Sequence, residues 1–207
     1  MLEQATDDPT ETSPARNGDG RHLRRQQGRV ATLDATIDLI LAEAPLSAES
    51  ICEQAGISQA SLFRYFDTLD DLRHAAIARY FQRFDALFAV PEVAHGPLSE
   101  RVWAFVEARD RLYGQTAPMA RFSRREASAV TEMAETLQRL RRTLADQIAR
   151  HFASELEHLE DSEQNRRVAV LASLTSFESW DQMSALGTRQ RRQAIAEATI
   201  AVLSTAP

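Results

Sequence analysis

The stretch that most limits what this chain can become is Gly56-Ile57-Ser58-Gln59-Ala60-Ser61-Leu62-Phe63-Arg64-Tyr65-Phe66. Gly56 suits a turn position that needs positive φ, and Ser58 can accept a backbone N–H as the N-cap of a following helix. Leu62 and Phe66 are four apart and share one helical face, which points inward. At about 100° per residue the opposite face carries Ala60, Ser61 and Arg64, with Tyr65 at its edge. An ordinary surface helix of this size is charged and solvating. Here the side chains are short enough for close approach, with one guanidinium and one phenol added. That is what a helix entering a DNA major groove needs. The other reading is a small helical subdomain whose polar face simply meets water.

The rest of the chain is helical in pattern. Val30, Leu33, Ile37, Ile40 and Leu41 recur at helical spacing until Pro45. Ser47 then caps a short helix that turns Ala48, Ile51, Cys52 and Ala55 inward. Thr68 caps a fourth helix, with Asp71 in place of the Glu of a capping box. Its stripe of Leu72, Ala76, Tyr80, Phe84 and Leu87 is widened by Ile77, Phe81 and Phe88, so it needs cover on more than one side. Pro91 and Gly96-Pro97 mark a break. A helix from about Ser99 is expected to stop at Gly114. A further helical region runs from Met119 to about Leu159, interrupted near Ser123–Ser128. Asp161-Ser162 opens a helix to about Leu186, and after Gly187 Thr188 caps the last one. No segment alternates like a strand. The expectation is an all-α chain of about nine helices, with residues 1–22 as a disordered polar tail.

Charge makes the DNA reading demanding. The 207 residues carry a net charge of −6, and all 24 basic residues are arginine. Residues 1–22, 23–88 and 89–207 carry −3, −2 and −1, so no segment is basic overall. Affinity for DNA must come from a few placed groups. Arg24, Arg25 and Arg29 are a candidate arm for phosphates or a minor groove, or else a solvated cluster. The lone Cys52 excludes an internal disulfide and reads as a small buried hydrophobe. No apolar run reaches the roughly 18 residues of a membrane helix and no signal segment stands at the N-terminus, so the cytoplasm is the default location.

Three short helices, a glycine turn and a long fourth helix resemble the TetR/AcrR family of bacterial transcriptional regulators. The resemblance is carried by Ser47-x-x-x-Ile51, Ala55-Gly56-Ile57-Ser58, Ser61-Leu62-Phe63-Arg64-Tyr65-Phe66 and Leu72, over roughly residues 29–80. It implies a helix-turn-helix DNA-binding domain over residues 23–70 and a ligand-binding and dimerisation domain over 71–207. It also implies roles. Gln59 and Ser61 would read base edges, Arg64 would contact a base or phosphate, and Tyr65 would hydrogen-bond a phosphate. Ser47 would offer its hydroxyl and nearby N–H groups to the DNA backbone. Arg24, Arg25 and Ser58 complete the expected DNA-binding set. Two positions depart from the family pattern: Phe63 stands where tyrosine is usual, and Leu69 where lysine is usual. Glu49 lies near the proposed phosphate track. A weaker grip with a shallow salt dependence is expected.

The resemblance further implies homodimerisation through the last two long helices, a palindromic operator in double-stranded DNA, and a small apolar or aromatic effector. Ala169, Ala172, Ala194, Ala198 and Ala201 would allow the close approach of dimer helices. Trp103, Phe122, Met133, Phe177 and Trp180 are the candidate pocket residues, although core packing explains most such side chains equally well. Arg109 and Arg121 are the cations considered for an anionic group, neither singled out by the sequence. His151, Glu155 and His158 share one helical face like metal ligands, but among Glu157, Glu160 and Asp161 a solvated acidic surface is the stronger reading. No cofactor, metal or catalytic motif is expected. The competing function is a helical small-molecule or protein-binding module with weakened or lost DNA binding.

Overall fold

The computed structural model describes residues 16–83, 89 and 90, 95–127 and 131–205. Among them are ten α-helices and no strand. They are α1 (Arg16–Leu41), α2 (Ala48–Ala55), α3 (Gln59–Tyr65), α4 (Leu69–Arg83), α5 (Leu98–Ala127), α6 (Thr131–His151), α7 (Ala153–Leu156), α8 (Asp161–Leu174), α9 (Phe177–Gln182) and α10 (Thr188–Ser204), with a 3-10 turn (Met183–Ala185) after α9. α1 starts at Arg16, so the expected disorder of the tail is corrected for residues 16–22; the earlier part of that expectation, like Phe84, Leu87 and Phe88 of the α4 stripe, falls outside the described residues. Local hydrogen bonding supports the polar start of α1, where Arg24 Nε donates to the Gly20 carbonyl one turn back.

Around α2, α3 and α4 the local chemistry acts as read. Ser47 and Ser50 cap α2 reciprocally, Ser50 taking the place of the usual Glu. Gly56 sits at φ 65° and its N–H closes the end of α2. Ser58 Oγ accepts the Ser61 N–H. Thr68 and Asp71 cap α4 from both sides, at 3.0 Å each way. Three helices of this size cannot bury enough alone. The core of Leu33, Ile37, Ile51, Leu62, Phe66, Leu72, Ala76 and Ile77 is therefore completed by Met119 and Phe122 of α5 and Met133 of α6. That core crosses the boundary expected after residue 70.

The larger half is built around α5. Val102, Phe105 and Val106 pack with Ile148, Phe152, Leu171, Ile195 and Leu203. Further along α5, Leu112, Tyr113, Ala117 and Ala120 pack with Phe177 and Trp180. The expected stop at Gly114 does not occur: α5 runs on through Gly114 and Pro118. Glycine and proline weaken a helix by about 1 and 3 kcal/mol. Burial of Leu112, Tyr113, Ala117, Met119 and Ala120 on either side overrides that local preference. Conversely, the helix expected from Asp161 to Leu186 breaks at Thr175 and Ser176, where Ser176 caps α9 by accepting the Ser179 N–H. Gly187, not Thr188, is the N-cap of α10.

Candidate nucleic-acid interface and effector cavity

α3 presents a polar ladder along its exposed side. Ser58 Oγ stands 3.2 Å from Ser61 Oγ, and Arg64 Nη2 donates to Ser61 Oγ at 3.2 Å. The Arg64 guanidinium also lies over the Tyr65 ring, 5.3 Å from its centroid. Gln59 and Ala60 are exposed in the first turn. Arg25 Nη2 donates to the Arg64 carbonyl at 3.2 Å, so α1 brings a second guanidinium to the C-terminal end of α3. The structure thus gathers Ser58, Gln59, Ser61, Arg64, Tyr65 and Arg25 about one short helix. Arg24 stays on the exposed surface of α1. Ser47 lies at the far end of α2, roughly 12 Å away along that helix.

Tyr65 is half-buried, and its ring packs into the N-terminal core. Its hydroxyl rests against Gly28 of α1: a methyl on Gly28 would run into that hydroxyl and stand 2.8 Å from Cζ. Gly28 is thus a close-approach glycine, and sequence reasoning passed over it. Phe63 is 48% exposed, an apolar ring on the outward face. Leu69 packs against the core.

A cavity of about 390 Å³ opens between α4, α5, α6 and the α8–α9 junction. Leu112, Tyr113, Met119, Leu137, Leu140, Leu144, Ile148 and Phe177 form its apolar wall, and α4 contributes Tyr80 and Phe81. Burial pushes the Tyr80 phenol up to about 12. Of the five expected pocket residues only Phe177 lines this cavity. Trp103 is 44% exposed on the outside of α5. Phe122 and Met133 belong to the shared core with the N-terminal helices. Trp180 packs behind Phe177 and donates its indole N–H to Asp110 at 2.9 Å. Large size alone does not tell whether a side chain is buried or which void it faces. The leucines of α6, Leu137, Leu140 and Leu144, form one side of the wall.

Charged groups cluster at two places beyond the cavity. Asp110 accepts from Arg191 at 2.6 Å, from Arg192 at 2.8 Å and from Trp180, tying α5 to α9 and α10. Burial pushes its carboxyl up, but these donors more than offset that and hold it below the usual carboxylate range. Near the start of α5, Arg101 pairs with Glu155, and the backbone carbonyl of Arg101 faces His151 Nε2 at 3.0 Å. His151 is buried against Phe105 and Phe152, where burial pushes its imidazole down. The reading of His151 and Glu155 as a solvated acidic surface is therefore corrected. Among the described residues no group of three or more His, Cys, Asp or Glu could hold a metal ion. Arg121 is partly exposed and paired with Asp181 and Glu43. Arg109 lines the cavity. Cys52 is buried, and burial pushes its thiol up.

No family model matches the sequence, and no curated protein does. Solved structures do. A TetR-family transcriptional regulator from Streptomyces coelicolor superposes with a TM-score of 0.67 at 21% identity, covering 86% of this chain and 82% of that one. A proposed transcriptional regulator from Pseudomonas aeruginosa PAO1 superposes with a TM-score of 0.63 at 20% identity, covering 86% of this chain and 90% of that one. The capped α2–α3 pair, the long α4 and the helical body built around α5 thus make up the fold of a TetR-family transcriptional regulator.

Proposed function

We propose that the protein is a TetR-family regulator: a homodimeric, ligand-responsive repressor that binds palindromic operator DNA through α3. One observation carries this reading. α4 holds Leu72, Ala76 and Ile77 in the core behind α3, and one turn later its Tyr80 and Phe81 line the cavity. A molecule in the cavity thus touches the helix that supports the DNA-reading pair. An effector that fits one position of α4 better than another shifts the population between them, and only by that difference in affinity. In a two-fold dimer the two α3 helices must meet successive major grooves about 34–36 Å apart, so a modest swing of α4 releases the operator.

Dimerisation through α8 and α10 is supported by the small exposed side chains there, Ala169, Ala194 and Ala201, beside the exposed Val170. Close packing of two copies covers such a surface with little loss of side-chain entropy. No described helix is long and apolar enough to cross a membrane. A regulator of this kind works where the DNA is, in the cytoplasm.

The test is a mobility-shift titration of the full chain on DNA flanking its own gene, at low and moderate salt. A sequence-specific shift with a shallow salt slope is expected. Absence of any specific shift leaves the helical small-molecule or protein-binding module as the better reading, with Phe63 and Leu69 as its cause.

A further inference from the structure

Four arginines of the larger half are almost wholly buried: Arg101, Arg109, Arg167 and Arg191 are each no more than 7% exposed. A guanidinium removed from water is costly unless a negative group meets it. Three of the four have that group. Arg101 pairs with Glu155, Arg167 with Glu163 at 2.7 Å, and Arg191 with Asp110 at 2.6 Å. Arg109, at 4% exposure, has no carboxylate partner among the described residues. Its Nη2 donates to the Leu144 carbonyl at 3.0 Å, and its face lies over the Phe105 ring, 4.8 Å from the centroid. Its Nε–H is buried and makes no hydrogen bond. Burial pushes this guanidinium below its ordinary value, the cost of a charge held without its counter-ion.

Arg109 forms part of the cavity wall. The wall holds two further guanidiniums, Arg124 and Arg141, and both already share Glu178, at 3.0 and 2.9 Å. The cavity is therefore apolar over most of its surface, with three guanidiniums against one carboxylate, and Arg109 is the one of the three that no carboxylate among the described residues meets. Its complement is an apolar body with a single anionic head. A carboxylate is flat, carries one charge and can accept from the guanidinium N–H groups that Arg109 does not spend on the Leu144 carbonyl. A phosphate dianion would need more donors than that edge supplies.

Building on the reading of this cavity as the effector site, we propose that the effector is an amphipathic carboxylic acid whose carboxylate pairs with Arg109. The acid completes the fourth buried ion pair of the body, while its apolar part packs on Leu137, Leu140 and Met119 and meets Tyr80 and Phe81 of α4.

The full-length protein is titrated calorimetrically with two matched pairs, decanoate with decanamide and 1-naphthoate with 1-naphthamide. In at least one pair the wild type is expected to bind the acid about tenfold or more tightly than the amide. Arg109→Met should abolish that preference while leaving amide affinity within about threefold, and Arg124→Gln should retain it. Should Arg109→Met fail to fold by circular dichroism, Arg109→Gln makes the same test. Equal binding of acid and amide overturns the proposal. So does absence of acid binding up to about 1 mM, or a preference that survives at Arg109→Met. Operator release is read in the same samples to separate the two levels of argument. Acid binding that depends on Arg109 but leaves DNA affinity unchanged sinks the effector reading and keeps the carboxylate site. Release by acid and amide alike sinks the carboxylate assignment and keeps the effector reading.

Discussion

Two sets of arginines, one in each half of the molecule, are held in opposite ways. In the N-terminal half Arg24, Arg25, Arg29 and Arg64 are exposed, held by backbone carbonyls, a serine hydroxyl or an aromatic face. In the larger half, Arg101, Arg167 and Arg191 are buried and each has an acid from the same half. A guanidinium held by weak, solvated contacts can leave them for a phosphate at little cost. One sealed into an ion pair is part of the architecture, and removing its partner leaves a stranded charge. Position, not residue type, decides which arginines can bind something.

The largest expected effect tests the buried side of that contrast. Asp110→Ala strands Arg191 and removes the acceptor for Trp180, so the loss of stability should be about 3–5 kcal/mol in urea unfolding. A loss below about 1 kcal/mol would mean that the Asp110 cluster is not structural. Acid should reveal the same pairs. Asp110 and Glu155 titrate below their ordinary values in the folded chain, and the Arg124 and Arg141 guanidiniums outweigh burial to hold Glu178 at about 2. Their contribution is complete above the unfolded carboxylate range of about 4 and is lost as pH falls through the folded-state values. Urea midpoints should therefore fall gently from pH 7 to pH 5, where His151 takes up a proton in the unfolded chain but not in the folded one, and more steeply below pH 4. Glu178→Gln should flatten that fall.

The exposed side should behave in reverse. Arg64→Ala should weaken specific DNA binding by more than about 1 kcal/mol. Its stability should stay within about 0.5 kcal/mol of the wild type. Equal losses in both measurements would erase the distinction between the halves. The smallest change in stability is expected at Gly28→Ala. Alanine favours the helix by about 1 kcal/mol, but its methyl must displace the Tyr65 ring, which costs a similar amount. Net stability should hardly move, while operator affinity falls as the end of α3 is disturbed. Unchanged DNA binding would show that the placement of Tyr65 does not matter.

How much could be read in advance also divides along this line. Gly56, Ser47, Ser58 and Thr68 act on atoms within a few residues of themselves, and each does in the structure what its type and spacing indicate. The body is held by long-range choices. Asp110 meets Arg191 across 81 positions, and Arg101 meets Glu155 across 54. No local pattern encodes such pairs. Gly114 and Pro118 are genuine helix breakers, overruled only because both neighbouring turns are buried. Trp103 shows the converse error: an aromatic ring of pocket-lining type lies on the outside of its helix. At α3 the sequence determines the outer face. Of the cavity lining, only Phe177 was among the residues expected there, because a void is a property of several helices at once.

The shared core bears on how such proteins can be recombined. Met119, Phe122 and Met133 fill the N-terminal core from outside its own sequence segment. A chimera that moves residues 16–83 onto another body leaves a hole shaped like those three side chains. Truncations of comparable size cost about 2–5 kcal/mol each. Exchange of the N-terminal helices between such bodies is thus constrained by what α5 and α6 supply. Substitutions on the outer face of α3 leave that core untouched, so change there is far cheaper than transplanting the module whole.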